Sequence, residues 1–226
     1  MIEVARERVA AVASTRSDDA EQQAGLAHGW VSGPDVRVLT AASVITVVRT
    51  LVAVALGLAA AAAETSDGAL RLLIASLVTY WIGDILDGAV ARWRDHETRF
   101  GGVLDVVCDR ACALVFYVGV AWHLPGLVVP VGVYLLEFAV VDLVLSLAFV
   151  AWPVLSPNYF YLVDRAIWRW NWSKTAKAVN SAAFALLLLL TENVWLCTAI
   201  AAVLLVLKVA SLVRLVRLGI PVPGVA

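Results

Sequence analysis

Charged residues are scarce in this chain, at 15% of its 226 residues, whereas hydrophobic residues make up 62%. A soluble domain contains about 45–50% apolar residues, so this composition argues against a large soluble core. The apolar residues come in long runs, which predict a polytopic membrane protein. Cysteine is also rare. Cys108, Cys112 and Cys197 lack the spacing of metal ligands, and we interpret them as small buried packing residues.

The first 36 residues lack the apolar core of a secretory signal peptide, so we expect no cleavage there. We predict a mobile cytosolic N-terminal tail over residues 1–38, a six-helix domain over residues 39–218, and a C-terminal tail over residues 219–226. We expect membrane lipids around the domain and no nucleic-acid partner.

Six apolar stretches are each close to the ~20 residues that cross the ~30 Å hydrocarbon core of a bilayer. They cover residues 41–63, 69–92, 102–122, 126–151, 174–191 and 194–217. We expect helices, because lipid offers the backbone no hydrogen-bond partners. The predicted fold class is therefore an all-α integral membrane protein with six transmembrane helices.

Basic residues cluster in alternate connections between these spans. They are Arg92, Arg94 and Arg99 after span two, Arg165, Arg169, Lys174 and Lys177 before span five, and Arg214 and Arg217 at the end of span six. The opposite connections, residues 64–68, 123–126 and 191–193, contain no Lys or Arg. The positive-inside rule then predicts a multi-pass protein of the cell (inner) membrane with both termini in the cytosol.

Four acidic residues lie at the cytosolic ends of predicted spans two and three. This aspartate cluster consists of Asp84, Asp87, Asp105 and Asp109. An Asp at the centre of a membrane helix costs roughly 2.5–3.5 kcal/mol on insertion scales. Four carboxylates close together also repel one another unless cations lie among them. Mg²⁺ and similar ions prefer carboxylate oxygens, so divalent cations are the natural candidates.

Helical spacing places these acids on two stripes. Asp84 and Asp87 are three residues apart, and Gly101, Asp105 and Asp109 are spaced by four, so each set lines one helix face. If the stripes face each other, the four carboxylates converge on a volume that suits one or two metal ions. The glycine leaves room for close approach of a ligand.

The cluster is accompanied by an arginine that is placed to pair with a phosphate, Arg92. Metal-bound carboxylates beside an arginine are typical of phosphoryl transfer. In such a reaction one carboxylate takes the proton of the attacking hydroxyl. The alternative interpretation is a set of interhelical salt bridges with Arg92, Arg99 and Arg110.

The segment from Asp84 to Asp109 reads D-x2-D-G-x2-A-R-x8-G-x3-D-x3-D. This pattern resembles the signature of the CDP-alcohol phosphatidyltransferase family at every fixed position. The resemblance implies a homodimeric membrane enzyme that moves a phosphatidyl or related group from a CDP-linked donor to an alcohol and releases CMP. It also implies metal binding by Asp84, Asp87 and Asp105, a metal or base role for Asp109, and a CDP site lined by Gly88, Ala91, Arg92 and Gly101.

Two residues at the start of span one extend this resemblance. Thr46 and Arg49 lie in Ser43-x-x-Thr46-x-x-Arg49, which is similar to the family's opening pattern N-x-L-T-x-x-R with serine in place of asparagine. Both could bind the CDP donor. Arg49 could instead anchor the topology of the span.

A basic group precedes span five and consists of Arg165, Arg169, Lys174 and Lys177. The stretch from Ser173 to Asn180 is similar to the G-K-x-K-T-x-x-Q stretch of relatives that use glycerol phosphate. This similarity implies a site for the acceptor's phosphate. The alternative is ordinary positive-inside charge with lipid headgroup contacts, helped by the nearby tryptophans.

We therefore expect a phospholipid-synthesis transferase with CDP-diacylglycerol as donor and two Mg²⁺ or Mn²⁺ ions as cofactor. A phosphorylated small alcohol is the expected acceptor, with glycerol 3-phosphate first, inositol phosphate second and phosphatidylglycerol third. The stretch from Thr98 to Arg110 also resembles phosphatidylinositol-phosphate synthases locally. The rival hypotheses are a divalent-cation transporter or channel and a catalytically silent family member. Glu137 and Asp142 are interpreted as buried hydrogen-bonding or dimer-interface groups.

Overall fold

The computed structural model describes residues 39–221 together with Gly29, and this part of the chain is helical with no β-strand. The rest of the predicted tail over residues 1–38 lies outside the described residues, as do residues 222–226. The prediction of six helices over residues 39–218 can therefore be compared with the structure along the whole predicted domain.

Three long helices form the first half of the domain: α1 (Ala41–Ala61), α2 (Ser66–Trp93) and α3 (Arg99–His123). Each begins after a threonine whose hydroxyl accepts a hydrogen bond from the amide three residues further on. These N-caps are Thr40, Thr65 and Thr98. Helix α1 packs against both α2 and α3, so the ends of the three helices that carry the predicted site meet in one place.

The next helical rod runs from Pro125 to Ala151 and changes its hydrogen-bonding pattern along the way. It consists of a 3₁₀ turn Pro125–Leu127, α4 (Val128–Leu135), a π-helical turn Leu136–Val141, α5 (Asp142–Leu147) and a 3₁₀ turn Ala148–Ala151. The π-helical turn shifts the register within an otherwise helical element, which is often a functional feature. Glu137 lies within this turn and Asp142 just after it, and both are buried.

The remaining elements begin with a 3₁₀ helix, Pro157–Leu162, and end with a long helix. They continue with α6 (Arg165–Asn171), α7 (Lys174–Lys177), a π-helical turn Ala178–Ala183, α8 (Phe184–Thr191) and α9 (Val194–Leu218). Asp164 caps α6 and pairs with Arg214 of α9. Burial alone would raise the pKa of Asp164, but hydrogen bonds from Arg214 and the α6 amides outweigh it and lower the pKa.

Four of these helices are long and apolar enough to cross a membrane. They are Ala41–Ala61, Ser66–Trp93, Pro125–Ala151 and Val194–Leu218. Large apolar side chains are exposed along them, among them Leu51, Leu58 and Val203. Such surfaces suit contact with lipid. The chain is therefore an all-α membrane protein with at least these four candidate spans.

Two apolar clusters hold the helices together. The larger one lies between the first three helices, α4, α8 and α9, and includes the ring stack of Tyr134 on Phe184, with centroids 4.3 Å apart. The smaller one contains Phe149, Val154 and Phe160, each fully buried. The smaller cluster supports the chain between α5 and α6, which reaches the candidate site described next.

Candidate active site

The aspartate cluster forms where α2 and α3 lie side by side. Oxygen atoms of Asp84, Asp105 and Asp109 all lie within 4.8 Å of one another, close enough to share an ion. All three carboxylates are partly exposed, so solutes can reach them. The two acidic stripes of the sequence are thus brought together.

Arg49 of α1 is the cation at the centre of this group. Its Nη2 donates to Asp105 at 2.6 Å and to Asp109 at 2.9 Å, and lies 3.7 Å from Asp84. Its Nε donates to Asp87 at 2.8 Å. Arg49 is only 4% exposed and does not line the neighbouring cleft, so it supports the carboxylates from inside the helix bundle.

Asp87 differs from the other three carboxylates because it is held by α1. Its Oδ2 accepts from Thr46 at 2.7 Å and from Arg49, and the residue is 5% exposed. The Thr46 hydroxyl also lies 3.1 Å from the carbonyl oxygen of Ala42. Since Thr46 and Arg49 are three residues apart, one face of α1 fixes Asp87.

Gly83 makes this arrangement possible. A Cβ added at this position would lie 2.4 Å from Cδ and 2.5 Å from Cβ of Arg49. Such distances are shorter than side-chain atoms tolerate. The missing side chain therefore lets the arginine pass close to α2 and reach the acids beyond it.

A cleft opens beside the cluster. Its wall contains the signature positions Asp87, Gly88, Ala91, Arg92, Gly101 and Asp105, together with Thr46. Arg92 folds back over Gly88, where an added Cβ would lie 3.2 Å from two guanidinium nitrogens. Arg92 is thus the cleft's arginine, as its position in the sequence suggests for a phosphate ligand.

The lining of the cleft also includes Leu155, Ser156 and Asn158, which the sequence analysis did not single out. These residues belong to an irregular connection with no signature of its own. The turn-forming residues around Pro157 are the sequence signal that predicts a loop there. Its contribution to the site depends on tertiary contacts that a local pattern does not reveal.

The basic group lies elsewhere on the surface. Arg165 and Arg169 line a separate hollow with Tyr161, Ala166 and Trp168. Lys174 and Lys177 are exposed at α7, and neither lines the cleft. The geometry of the described residues therefore separates the predicted acceptor-phosphate residues from the wall of this cleft.

A second charged group is buried behind the aspartate cluster. Asp142 accepts from Lys208 at 2.6 Å and also from Arg110, the residue after Asp109. Glu137 is fully buried, and Lys208 lies 4.0 Å from it. The expectation of a hydrogen-bonding role thus fits Asp142. The sequence analysis missed Lys208, although a lysine inside the apolar run 194–217 was a visible signal.

The donor set fits hard divalent cations. Carboxylate oxygens from three converging residues, partly open to solvent, are the ligands that Mg²⁺ and Mn²⁺ prefer. One arginine cannot neutralise four ionised carboxylates, so added positive charge is electrostatically favourable there. Such a centre, next to a cleft with an arginine, can bind a phosphate ester and assist its transfer.

This geometry defines a carboxylate centre, built on long apolar helices, of the kind that serves phosphoryl chemistry. The chain belongs to the CDP-alcohol phosphatidyltransferase family, whose pattern matches residues 39–215. That family had been inferred from the signature in the sequence, and the match confirms it.

Short segments of the chain also resemble curated relatives. Phosphatidylinositol phosphate synthases of Mycobacteroides abscessus and Mycobacterium tuberculosis are each 51% identical over 39 residues, which are 17% of this chain and 18% of each relative. The Mycolicibacterium smegmatis enzyme of the same name is 43% identical over 49 residues, or 21% of this chain and 22% of the relative. The matches thus span about a fifth of these relatives and give no support for the expected preference for glycerol 3-phosphate. No solved structure matches the chain significantly.

Proposed function

We propose that this protein transfers a phosphatidyl group from CDP-diacylglycerol to a phosphorylated small alcohol and releases CMP. One observation carries the proposal: the carboxylates of Asp84, Asp105 and Asp109 converge beside a cleft lined by Arg92 and the signature glycines. A diphosphate in the cleft would lie within reach of both the acidic centre and the arginine.

The donor's diphosphate is assigned to the signature residues. Arg92 pairs with a phosphate oxygen, while the small residues Gly88, Ala91 and Gly101 let the nucleotide approach the backbone. Thr46 and Arg49 act on the donor through Asp87, which they hold in place. The acyl chains of the donor would enter from the surrounding lipid.

Asp84, Asp87, Asp105 and Asp109 are assigned as the residues that would hold two Mg²⁺ or Mn²⁺ ions. These cations would neutralise the diphosphate and make its phosphorus easier to attack. Arg49 keeps Asp87, Asp105 and Asp109 in position by donating to one carboxylate oxygen of each.

Asp109 is assigned as the general base. Arg49 donates a hydrogen bond to its Oδ1, and we assign Oδ2 as the atom that accepts the proton of the acceptor hydroxyl. The oxygen of the acceptor hydroxyl forms a bond to the β-phosphorus of the donor. The bond from that phosphorus to the bridging oxygen breaks, and CMP leaves with its electron pair. The hydroxyl proton passes to Asp109.

Inositol phosphate is the first candidate acceptor, because the curated relatives carry phosphatidylinositol phosphate synthase as their name. Glycerol 3-phosphate is the second. The basic group is assigned to the acceptor's phosphate, with Lys174 as its leading member. Two of its residues, Arg165 and Arg169, line one hollow, which supports a shared anionic ligand.

The proposed topology has six spans with both termini in the cytosol and the domain over residues 39–218. Helix α3 and the segment from Lys174 to Thr191 supply the two spans beyond the four candidates. Both carry charged residues at the end near the cleft or the basic group, which suits the cytosolic surface of the inner membrane. A homodimer is part of the proposal.

A headgroup panel tests this function. Purified protein is incubated with radiolabelled CDP-diacylglycerol, Mg²⁺ or Mn²⁺, and each candidate alcohol in turn. The expected result is stoichiometric CMP and one labelled lipid with a phosphorylated alcohol, and no product from an Asp105→Asn variant. Cation transport without CMP release would contradict the proposal, and product with an uncharged alcohol alone would contradict the acceptor class.

A further inference from the structure

We propose that Ser156 and Asn158 bind the pyrimidine base of the donor nucleotide. This inference rests on the proposed function and deepens it by assigning residues outside the signature. Both residues line the cleft together with the signature residues of α2 and α3. We call residues 155–158 the wall segment.

The wall segment offers side-chain hydrogen-bonding groups that make no hydrogen bond within residues 39–221. Ser156 Oγ is buried and has no hydrogen-bond partner in the described part of the chain. The side-chain amide of Asn158 likewise makes no hydrogen bond to any residue the structure describes, although its backbone carbonyl accepts from Trp168 Nε1 at 2.8 Å. A buried hydroxyl without a partner costs about 1–3 kcal/mol, so a ligand that pairs with it binds more tightly.

The chemistry of the wall segment suits a base better than a phosphate. It carries no cationic side chain, whereas Arg92 and the aspartate cluster of α2 and α3 supply the groups that hold a diphosphate and its cations. A hydroxyl and a carboxamide each offer both a donor and an acceptor. The edge of cytosine presents an amino donor beside ring-nitrogen and carbonyl acceptors, which complements such a pair.

The wall segment is held rigidly enough to recognise a ligand. Arg99 donates to the carbonyls of Val150 and Trp152, just before it. Tyr159, just after it, donates to Glu97 at 2.6 Å. Burial and the Glu97 carboxylate raise the pKa of Tyr159, which keeps the phenol protonated and able to donate.

The same segment lies directly against α3. A Cβ added at Gly102 would lie 2.9 Å from the carbonyl oxygen of Leu155 and 3.3 Å from Cβ of Ser156. Val154 and Phe160, on either side of the segment, are fully buried in the smaller apolar cluster. The polar side chains of the segment are therefore fixed relative to the signature helix.

The test compares two ligands that differ only in the base. CMP and ribose 5-phosphate are each titrated as competitors of CDP-diacylglycerol in the full-length protein, with Ser156→Ala and Asn158→Ala as variants. In each variant, the ratio of the affinity for CMP to the affinity for ribose 5-phosphate should fall by about five- to tenfold, which corresponds to the loss of one hydrogen bond. Ser66→Ala, at the exposed far end of α2, is the matched control and should leave the ratio unchanged.

A Tyr159→Phe variant separates recognition from loss of structure, because it removes the hydroxyl that bonds to Glu97 and leaves Ser156 and Asn158 unchanged. It should weaken the binding of CMP and of ribose 5-phosphate by the same factor, so that the ratio of the two affinities does not change. Parallel weakening in Ser156→Ala and Asn158→Ala as well would overturn the assignment to the base but leave the transferase proposal standing. If the unmodified protein neither binds CMP nor forms lipid, both proposals are wrong.

Discussion

Arg49 on α1 donates from Nε to Asp87 on α2 across 2.8 Å, in a part of the protein that is almost closed to solvent. The same guanidinium bonds to Asp105 and Asp109 on α3. One side chain thus joins the three helices that build the site. It holds the carboxylates near one another while leaving them with a large formal negative charge, which a divalent cation would reduce.

Replacing Arg49 by methionine should destabilise the protein and make its thermal stability depend more strongly on bound metal. Removing one partner of a buried ion pair typically costs about 3–5 kcal/mol, because the other charge is left without compensation. In detergent and EDTA, the Arg49→Met variant should unfold at a lower Tm than the unmodified protein. Adding Mn²⁺ should raise the Tm of the variant by more than it raises that of the unmodified protein. Arg49→Lys retains the charge and should lie between the two. An equal Mn²⁺ response in all three proteins would mean that Arg49 does not support the metal ligands.

Replacing Asp109 by asparagine should abolish most of the turnover while CMP binding persists. A general base contributes about 10²–10⁴ in rate, and asparagine keeps the size of the side chain without its proton acceptor. The measurement is the rate of CMP release together with a CMP competition curve. Asp67→Asn, an exposed acid at the far end of α2, is the control and should retain full activity. Unchanged turnover in Asp109→Asn would remove Asp109 as the base.

Much of the site follows from local spacing along the helices, since three- and four-residue intervals place side chains on one face. Helical spacing placed Asp105 and Asp109 on one face of their helix, and it predicted that Asp84 would meet them if the two acidic faces were turned towards each other. In the structure these three carboxylates do converge. The spacing did not reveal that Arg49 lies inside the bundle, under the acids. That position depends on the space left by Gly83, which is a contact between two helices.

The wall segment and Lys208 show two other ways in which sequence reasoning falls short. The wall segment has no helical period, and tertiary contacts such as that of Leu155 and Ser156 with Gly102 bring it to the cleft. Lys208 was visible as a charge in an apolar run, but its partner Asp142 is 66 residues away in sequence. Pairings over such separations are set by helix packing and not by any local pattern.

The EDTA response of the reaction provides a direct test of the metal assignment. Chelation should stop CMP release, and Mg²⁺ or Mn²⁺ should restore it, since three convergent carboxylates offer oxygen ligands only. Asp84→Asn should raise the Mg²⁺ concentration needed for half-maximal activity, because it removes one charged ligand. Activity that persists in excess EDTA would rule out a metal role for the aspartate cluster.

Replacing Asp142 by asparagine should lower stability more than replacing Lys208 by methionine. Asp142 bonds to both Lys208 and Arg110, so its replacement removes the nearest carboxylate from two buried cations and leaves Lys208 with Glu137, 4.0 Å away. The expected cost is about 3–5 kcal/mol. The Lys208 variant still leaves Asp142 bonded to Arg110. Tm values of the single and double variants measure the coupling. Additive effects would show that the two residues act independently.

Lys174→Ala tests the acceptor-phosphate assignment, because a lysine that pairs with the acceptor contributes to the binding of that substrate alone. The acceptor KM should rise roughly tenfold, the effect of losing one charge-assisted hydrogen bond, while the donor KM changes little. Arg71→Ala removes an exposed basic residue from the opposite half of α2 and serves as the matched control. Initial rates with each substrate varied in turn give both constants. A larger rise in the donor KM would move Lys174 to the donor site, and no change in either constant would leave it as a residue that orients the protein in the membrane.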